Sequence, residues 1–178
     1  MVALLRHAVA VATLPFTVTV LVPVWIARRN GIALVLGRSV GSLTLQAIGV
    51  GALAVGLLLF VASLRRFAGE GRGTLAPWDP PRRLVLRGPY RFVRNPMISG
   101  VVFVLFGEAL VLLSTPHAAW AAVFLALNLV AIPLLEEPML EARFGESYRE
   151  YCRHVPRFLP RMTPWSPSNP SPGEAGSH

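Results

Sequence analysis

The residues best suited to chemistry lie between Arg87 and Gly100, with Glu136 and Glu137 further along the chain. The first stretch reads Arg-Gly-Pro-Tyr-Arg-Phe-Val-Arg-Asn-Pro-Met-Ile-Ser-Gly. It places Arg87, Arg91 and Arg94 beside two X-Pro steps, Gly88-Pro89 and Asn95-Pro96. Each proline fixes its own φ, lacks an N–H and pushes the preceding residue out of helical geometry. The pattern predicts a shaped loop at the mouth of a helix, with backbone N–H groups left free beside basic side chains. Such a helix start is a good anion receptor. A basic loop that merely flanks a membrane is the plainer reading of the same composition.

The two glutamates, followed by Pro138, sit at the end of an apolar run, where charge is costly unless paired or solvated. Brought opposite the arginine loop, they would make a pocket positive on one side and negative on the other. That suits a zwitterionic cofactor, its carboxylate toward arginine or free amides and its ammonium toward glutamate. An Arg94–Glu136 ion pair that only staples the two segments is the structural alternative. Cys152 is the one cysteine, so no intrachain disulfide exists, and His154 two residues on falls on a different helix face, which disfavours a thiol nucleophile. His7, His117 and His154 are scattered and give no metal-ligand cluster.

The elements that must position these residues are apolar helices. Apolar residues make up 53% of the 178-residue chain and charged residues only 15%, with a mean hydropathy of +0.54. This excludes an ordinary soluble domain and points to an integral membrane protein. The net charge of +8 is carried by arginines that flank apolar runs, without the aromatic interleaving of a nucleic-acid surface, so no nucleic-acid partner is expected. The pattern predicts a first span from Ala8 to Ala27 containing Pro15 and Pro23, stopped by Arg28-Arg29-Asn30-Gly31. It predicts a second from Val40 to Leu64, a third from Met97 to Ser114 and a fourth from Ala118 to Leu135. Gly49, Gly51 and Gly56 lie within an uninterrupted apolar run, which favours close helix packing over a dinucleotide-binding loop.

The Thr115–His117 turn has no arginine, whereas eight (Arg65, Arg66, Arg72, Arg82, Arg83, Arg87, Arg91, Arg94) precede the third helix and five follow the fourth. The positive-inside rule therefore folds helices three and four into a hairpin whose polar ends meet on the cytoplasmic side. Past Pro138, Leu140, Phe144, Tyr148 and Tyr151 recur at helical spacing, predicting an amphipathic helix at the membrane surface, interrupted at Gly145. Val155 to Pro160 should fold back as an extended strap. Glu108, inside the third span, is expected near mid-bilayer, bonded to Asn128 or Gln46 as a structural group, with a substrate contact as the alternative. The expected fold is all-α: a multi-pass bundle of about four transmembrane helices over residues 1–162, with a Pro/Ser/Gly-rich disordered tail at 163–178.

One ordered series of residues carries a resemblance. Gly88-Pro-Tyr-Arg-x-Val-Arg94-Asn-Pro-x-x-x-Gly100, an apolar hairpin, Glu136-Glu137, Phe144-Gly145-x-x-Tyr148-x-x-Tyr151 and Val155-Pro-Arg157 resemble the isoprenylcysteine carboxyl methyltransferase family. That family belongs with the membrane phospholipid methyltransferases. The resemblance spans about Arg82 to Pro160 and implies a multi-pass enzyme using S-adenosylmethionine outside the Rossmann framework. By motif position it implies cofactor contacts from Arg83, Leu84, Val85 and Tyr90. It adds Asn95, Pro96, Met97 and Ile98, with Glu136 on the far side. Arg91, Arg94 and Glu137 are the substrate-binding candidates.

Two departures stand out: the family's His-Pro pair is Asn95-Pro96 here, and an expected aromatic is Ile98. Asn cannot shuttle a proton near neutral pH. The arginine that holds a substrate carboxylate in the eukaryotic enzymes is Ile132 in this chain. The expected function is methyl transfer from S-adenosylmethionine to a lipophilic or lipidated acceptor, isoprenylcysteine-like or phospholipid-like, taken from among membrane lipids. An NADPH-dependent membrane lipid reductase and a non-enzymatic module binding anionic lipid are the alternatives.

Overall fold

The computed structural model describes residues 12–70, 84–158 and 160–166, and among these it holds helices and no strand. A π-helical segment, Ala12–Leu21, runs into α1 (Val22–Asn30); α2 spans Val40–Glu70. A short 3-10 turn at Gly88–Arg91 leads to α3 (Pro96–Val111), and α4 covers Thr115–Ala131. A π-helical turn at Ile132–Glu136 then connects to α5 (Glu137–Phe144), and α6 is Glu146–His154.

Local chemistry sets most of the boundaries. At the end of α1, Gly31 takes a left-handed φ of 62° and its N–H donates to the Ala27 carbonyl, the glycine stop expected after Arg28-Arg29-Asn30. Ser39 opens α2, its Oγ accepting from the Ser42 N–H at 3.1 Å. Ser114 does the same for α4, accepting from the His117 N–H at 3.4 Å. That cap starts the helix three residues before the predicted Ala118. α3 correspondingly stops at Val111 rather than Ser114, and Leu113 turns the chain with a φ of 48°. α2 continues past the predicted Leu64 through Arg65 and Arg66 to Glu70, because arginine is a good helix former.

The fourth span does not break at Glu136-Glu137-Pro138. Pro133 lacks an N–H and its ring crowds the turn before it, and widening that turn to π geometry absorbs the clash. The chain then carries on as helix through Pro138 to Phe144. Val40–Arg66 and Thr115–Phe144 are long and apolar enough to cross a membrane. Their flanks carry exposed Leu57, Leu58, Leu127, Leu134 and Leu135, a surface that water would not tolerate but lipid would. α3 is shorter: its 16 residues rise about 24 Å. The predicted first span begins outside the described residues, and its described part ends at Asn30.

α2 and α3 pack antiparallel through glycine. A Cβ on Gly49 would lie 2.9 Å from the Gly107 carbonyl oxygen, and one on Gly56 would lie 2.7 Å from that of Gly100. The seven-residue spacing on both helices lets the backbones touch twice, which is the close packing expected of those glycines. A Cβ on Gly51 would meet nothing within 4 Å, so it has no part in this seam.

α1 runs antiparallel to α4. The Trp120 indole donates to the Val18 carbonyl at 3.1 Å. The His117 Nε2 lies 3.2 Å from the Pro23 carbonyl. The bundle therefore alternates direction from α1 to α4. The end of α2, the start of α3 and the described residues after α4 gather at one end, and Arg28, Arg29 and Arg38 lie at the other.

Gly145, at φ 56° and ψ −130°, interrupts the C-terminal helix where expected. The amphipathic α6 forms, but its apolar face is covered by protein. Tyr148, Tyr151, Val155 and Trp165 are buried together against Leu84, Leu86, Leu140 and Phe144. Trp165 belongs to the stretch read as tail from residue 163, so chain order extends past residue 162; residues 167–178 lie outside the described residues.

Candidate active site

The segment between α2 and α3 is built as the two X-Pro steps dictate. Gly88 adopts φ 60°, and Pro89 opens the 3-10 turn. The positive φ of Gly88 favours glycine, and a Cβ there would come within 3.2 Å of the Arg66 side chain. Several amides expected to be free are taken. Those of Phe92 and Val93 donate to the Pro89 carbonyl at 3.0 and 3.3 Å, and that of Arg94 to the Pro156 carbonyl at 2.9 Å. The start of α3 matches the expectation better. Asn95 is its N-cap residue yet makes no side-chain cap, and Pro96 occupies the first turn. The Asn95 side chain therefore leaves the first-turn amides of Met97 and Ile98 uncapped.

The hairpin brings this loop to the glutamates, and the two acids divide their work. Glu137 is a staple. Its Oε1 and Oε2 accept from Arg157 Nε at 2.7 Å and Nη2 at 2.5 Å. Arg94 Nη1 lies 2.9 Å from Oε1. The forked geometry and low exposure (15% for the Glu137 side chain, 12% for Arg94) make this a strong contact. Arg94 Nη1 also lies 2.9 Å from Cys152 Sγ, while its Nε is buried with no partner. The stapling pair is thus Arg94–Glu137 rather than Arg94–Glu136.

Glu136 makes no hydrogen bond or ion pair among the described residues and has exposed surface on the π turn. Its charge reaches Tyr90: burial first, and the Glu136 carboxylate second, push that phenol above its ordinary pKa. Glu136 therefore lies within electrostatic range of Tyr90 at the end of the bundle.

The other candidates sort by what already holds them. Arg91 is engaged with the C-terminal segment, its Nε donating to the Trp165 carbonyl at 2.7 Å and its Nη2 to Ser166 Oγ. Val85 and Pro96 are buried, and Leu84, Tyr90, Asn95, Met97 and Ile98 are half-buried along the same end. Arg83 lies outside the described residues. Asn95 Nδ2 sits 3.5 Å from the Arg157 carbonyl, and Ile132, where the resemblance places a carboxylate-binding arginine, is 2% exposed in the π turn.

Glu108 does not meet its expected partners. Gln46 gives its amide to the Val35 and Val111 carbonyls at 2.8 and 2.9 Å, and Asn128 bonds back to Phe124 at 2.8 Å. The Glu108 Oε2 is left buried and unpartnered. Thirteen positions along α3 separate it from Asn95, about 20 Å of rise, so it stands outside this site. Among the described residues no cluster of His, Cys, Asp or Glu could hold a metal ion.

Trp165 emerges as a site-supporting residue that sequence reasoning passed over, and Cys152, weighed there only as a nucleophile, as a contact of Arg94. Trp165 was hidden by its Pro/Ser-rich surroundings, although a tryptophan between prolines in a polar tail is itself a signal of docking.

A family model described as phospholipid methyltransferase matches residues 44–147, from the first turns of α2 to the start of α6. Searches of curated proteins and of solved structures each find no match. The matched span contains the glycine seam, the arginine loop and both glutamates, and it agrees with the resemblance carried by the motifs. It supports neither the reductase nor the non-enzymatic alternative. With the long apolar helices, it identifies a membrane protein and a methyltransferase whose acceptor is lipophilic. The chain belongs to the phospholipid methyltransferase family.

Proposed function

We propose that the chain carries a methyl group from S-adenosylmethionine to a phospholipid-like or isoprenylcysteine-like acceptor. We further propose that it is a multi-pass membrane enzyme with its working end toward the cytoplasm. The observation that carries the reading is the Glu136 carboxylate, without a hydrogen bond or ion pair among the described residues and within electrostatic range of Tyr90, together with an α3 start that the Asn95 side chain does not cap. An acid left free beside an arginine-stapled neighbour fits an ammonium group, and uncapped first-turn amides fit a carboxylate. Leu84 and Val85 offer an apolar wall suited to a purine. The residues present therefore fit the cofactor. Glu136 would hold its ammonium, the Met97 and Ile98 amides its carboxylate, and Tyr90 with Leu84 and Val85 its remainder.

The bound cofactor supplies a methyl group already activated on a sulfonium centre. The protein's share is then chiefly alignment and exclusion of water, which can lower a barrier by several kcal/mol. Glu137, Arg94 and Arg157 fix the spacing between α5 and the loop that such alignment needs. Asn95 can donate or accept a hydrogen bond but cannot remove a proton near neutral pH, so an amine acceptor must arrive unprotonated or lose its proton to water. Leu134 and Leu135 are 67% and 68% exposed on the turn that bears Glu136, an apolar approach for an acceptor tail lying in the bilayer. Buried Ile132 provides no charge for a prenylcysteine carboxylate, which favours the phospholipid-like acceptor. The cytoplasmic orientation rests on the arginine count: Arg65, Arg66, Arg87, Arg91 and Arg94 share their end with the arginines after α4.

The test is transfer of label from radioactive methyl donor, by purified protein, into the host's membrane extract, followed by separation of lipid from protein. Label in a lipid fraction, absent with Glu136→Ala, is expected. Label in neither fraction would refute the activity.

A further inference from the structure

The loop that would cradle the cofactor is not held by the bundle alone. Four of its residues in a row of five have a backbone group claimed by the C-terminal segment. The Tyr151 hydroxyl donates to the Tyr90 carbonyl at 2.7 Å. The Arg91 carbonyl accepts from the Trp165 N–H, and the Phe92 carbonyl from the Arg161 N–H, both at 3.0 Å. The Arg94 N–H donates to the Pro156 carbonyl at 2.9 Å. A loop shaped by two X-Pro steps cannot satisfy these groups internally, and unmade bonds there would favour other loop conformations.

One side chain anchors the strap that makes those bonds. Trp165 is 9% exposed, packs on the Tyr151 ring with centroids 5.8 Å apart and stacks on His154 at 5.4 Å and 14°. Its neighbours Met162, Thr163, Pro164 and Ser166 are exposed, so it is the only buried residue of the described chain beyond Val155. Arg91 closes the contact from the other side by donating to the Trp165 carbonyl.

We propose that Trp165 is a positioning residue for methyl transfer: by anchoring the strap it keeps the Tyr90–Arg94 loop in the conformation that receives the cofactor. The inference rests on the cofactor site described above and adds to it a dependence on a tryptophan outside the family match. Where an undocked strap leaves the loop competent a tenth of the time, apparent cofactor affinity falls about tenfold with no cofactor contact removed.

The experiment uses the full chain in detergent, with S-adenosylhomocysteine as the probe. In hydrogen exchange on the wild type, the probe is expected to slow exchange of the strap amides, those of Arg161 and Trp165 included, together with the loop amides. Calorimetry is expected to show Trp165→Ala binding about tenfold more weakly and Trp165→Phe recovering most of the loss. In turnover the KM for the methyl donor should rise while kcat changes less. Protection confined to the loop, or Trp165→Ala binding as tightly as wild type, overturns the proposal and leaves the cofactor site standing. A wild type that binds no probe overturns both. Should Trp165→Ala not fold, the wild-type exchange pattern and Trp165→Phe decide.

Discussion

Glu137 spends both carboxylate oxygens on Arg157 and shares one with Arg94, so removing it strands two guanidinium groups beside an already unpartnered Arg94 Nε. Breaking one side of a buried pair is costly, and the 34% exposure of Arg157 moderates that cost. Glu137→Ala should therefore lower stability by about 2 kcal/mol in denaturant unfolding. Glu136→Ala, at a carboxylate without partners, should stay within about 0.5 kcal/mol of wild type. Equal losses would contradict the division of labour between these neighbours. The sequence made the acidic pair visible but could not say which glutamate staples and which stays free. That choice depends on a π turn that reorients successive side chains, and on Arg157, twenty residues away in the chain. Glu108 shows the same limit: its place inside an apolar helix was legible, but Gln46 and Asn128 had nearer backbone carbonyls to satisfy.

The antiparallel seam between α2 and α3 and the C-terminal cap behave as elements, each with its own signature. At the seam, a side chain on Gly100 would lie 2.9 Å from the Gly56 carbonyl oxygen. Gly100→Val should cost about 2–3 kcal/mol by forcing the helices apart. Gly51→Ala, with open space around it, should be neutral or stabilising by about 0.5 kcal/mol. Thermal melts in detergent check both, and a tolerated Gly100→Val would dispute the seam.

In the cap, all three tyrosines of the chain, Tyr90, Tyr148 and Tyr151, have phenols pushed above their ordinary range, mainly by burial. The unfolded chain loses those protons near pH 10 while the folded chain keeps them. Stability therefore falls as pH rises past about 10 and is unaffected below it. Absorbance of phenolate should stay low until unfolding and then rise in one cooperative step. Gradual titration near pH 10 in the folded protein would contradict this packing. Periodicity made the helices and the Gly145 break legible. Their ends shifted where capping serines, prolines and arginines outweighed hydropathy, and α6 turned its apolar face to protein because Trp165 and Leu84 were there to cover it.

At the scale of the whole molecule, alternating helices bring the arginine loop, the glutamates and the strap to one end of an apolar bundle. In a cysteine-free background (Cys152→Ser), Arg87→Cys and Thr163→Cys should react with an impermeant thiol reagent from the cytoplasmic side. Ser39→Cys and Thr115→Cys should react only from the opposite side. Labelling of Arg87→Cys and Thr163→Cys from different sides would break the hairpin. The all-helical plan, with two helices long and apolar enough to cross a membrane, could be read from hydropathy alone. The direction of the first two helices could not, because it is set by contacts such as Trp120 to Val18 and Gly49 to Gly107.

The most direct test of the cofactor site is calorimetric titration of purified full-length protein with S-adenosylhomocysteine. Wild type should bind, and Glu136→Ala should bind at least about tenfold more weakly while melting at the wild-type temperature. No heat from wild type, or equal affinity in the two proteins, would contradict a cofactor seated between Glu136 and the start of α3.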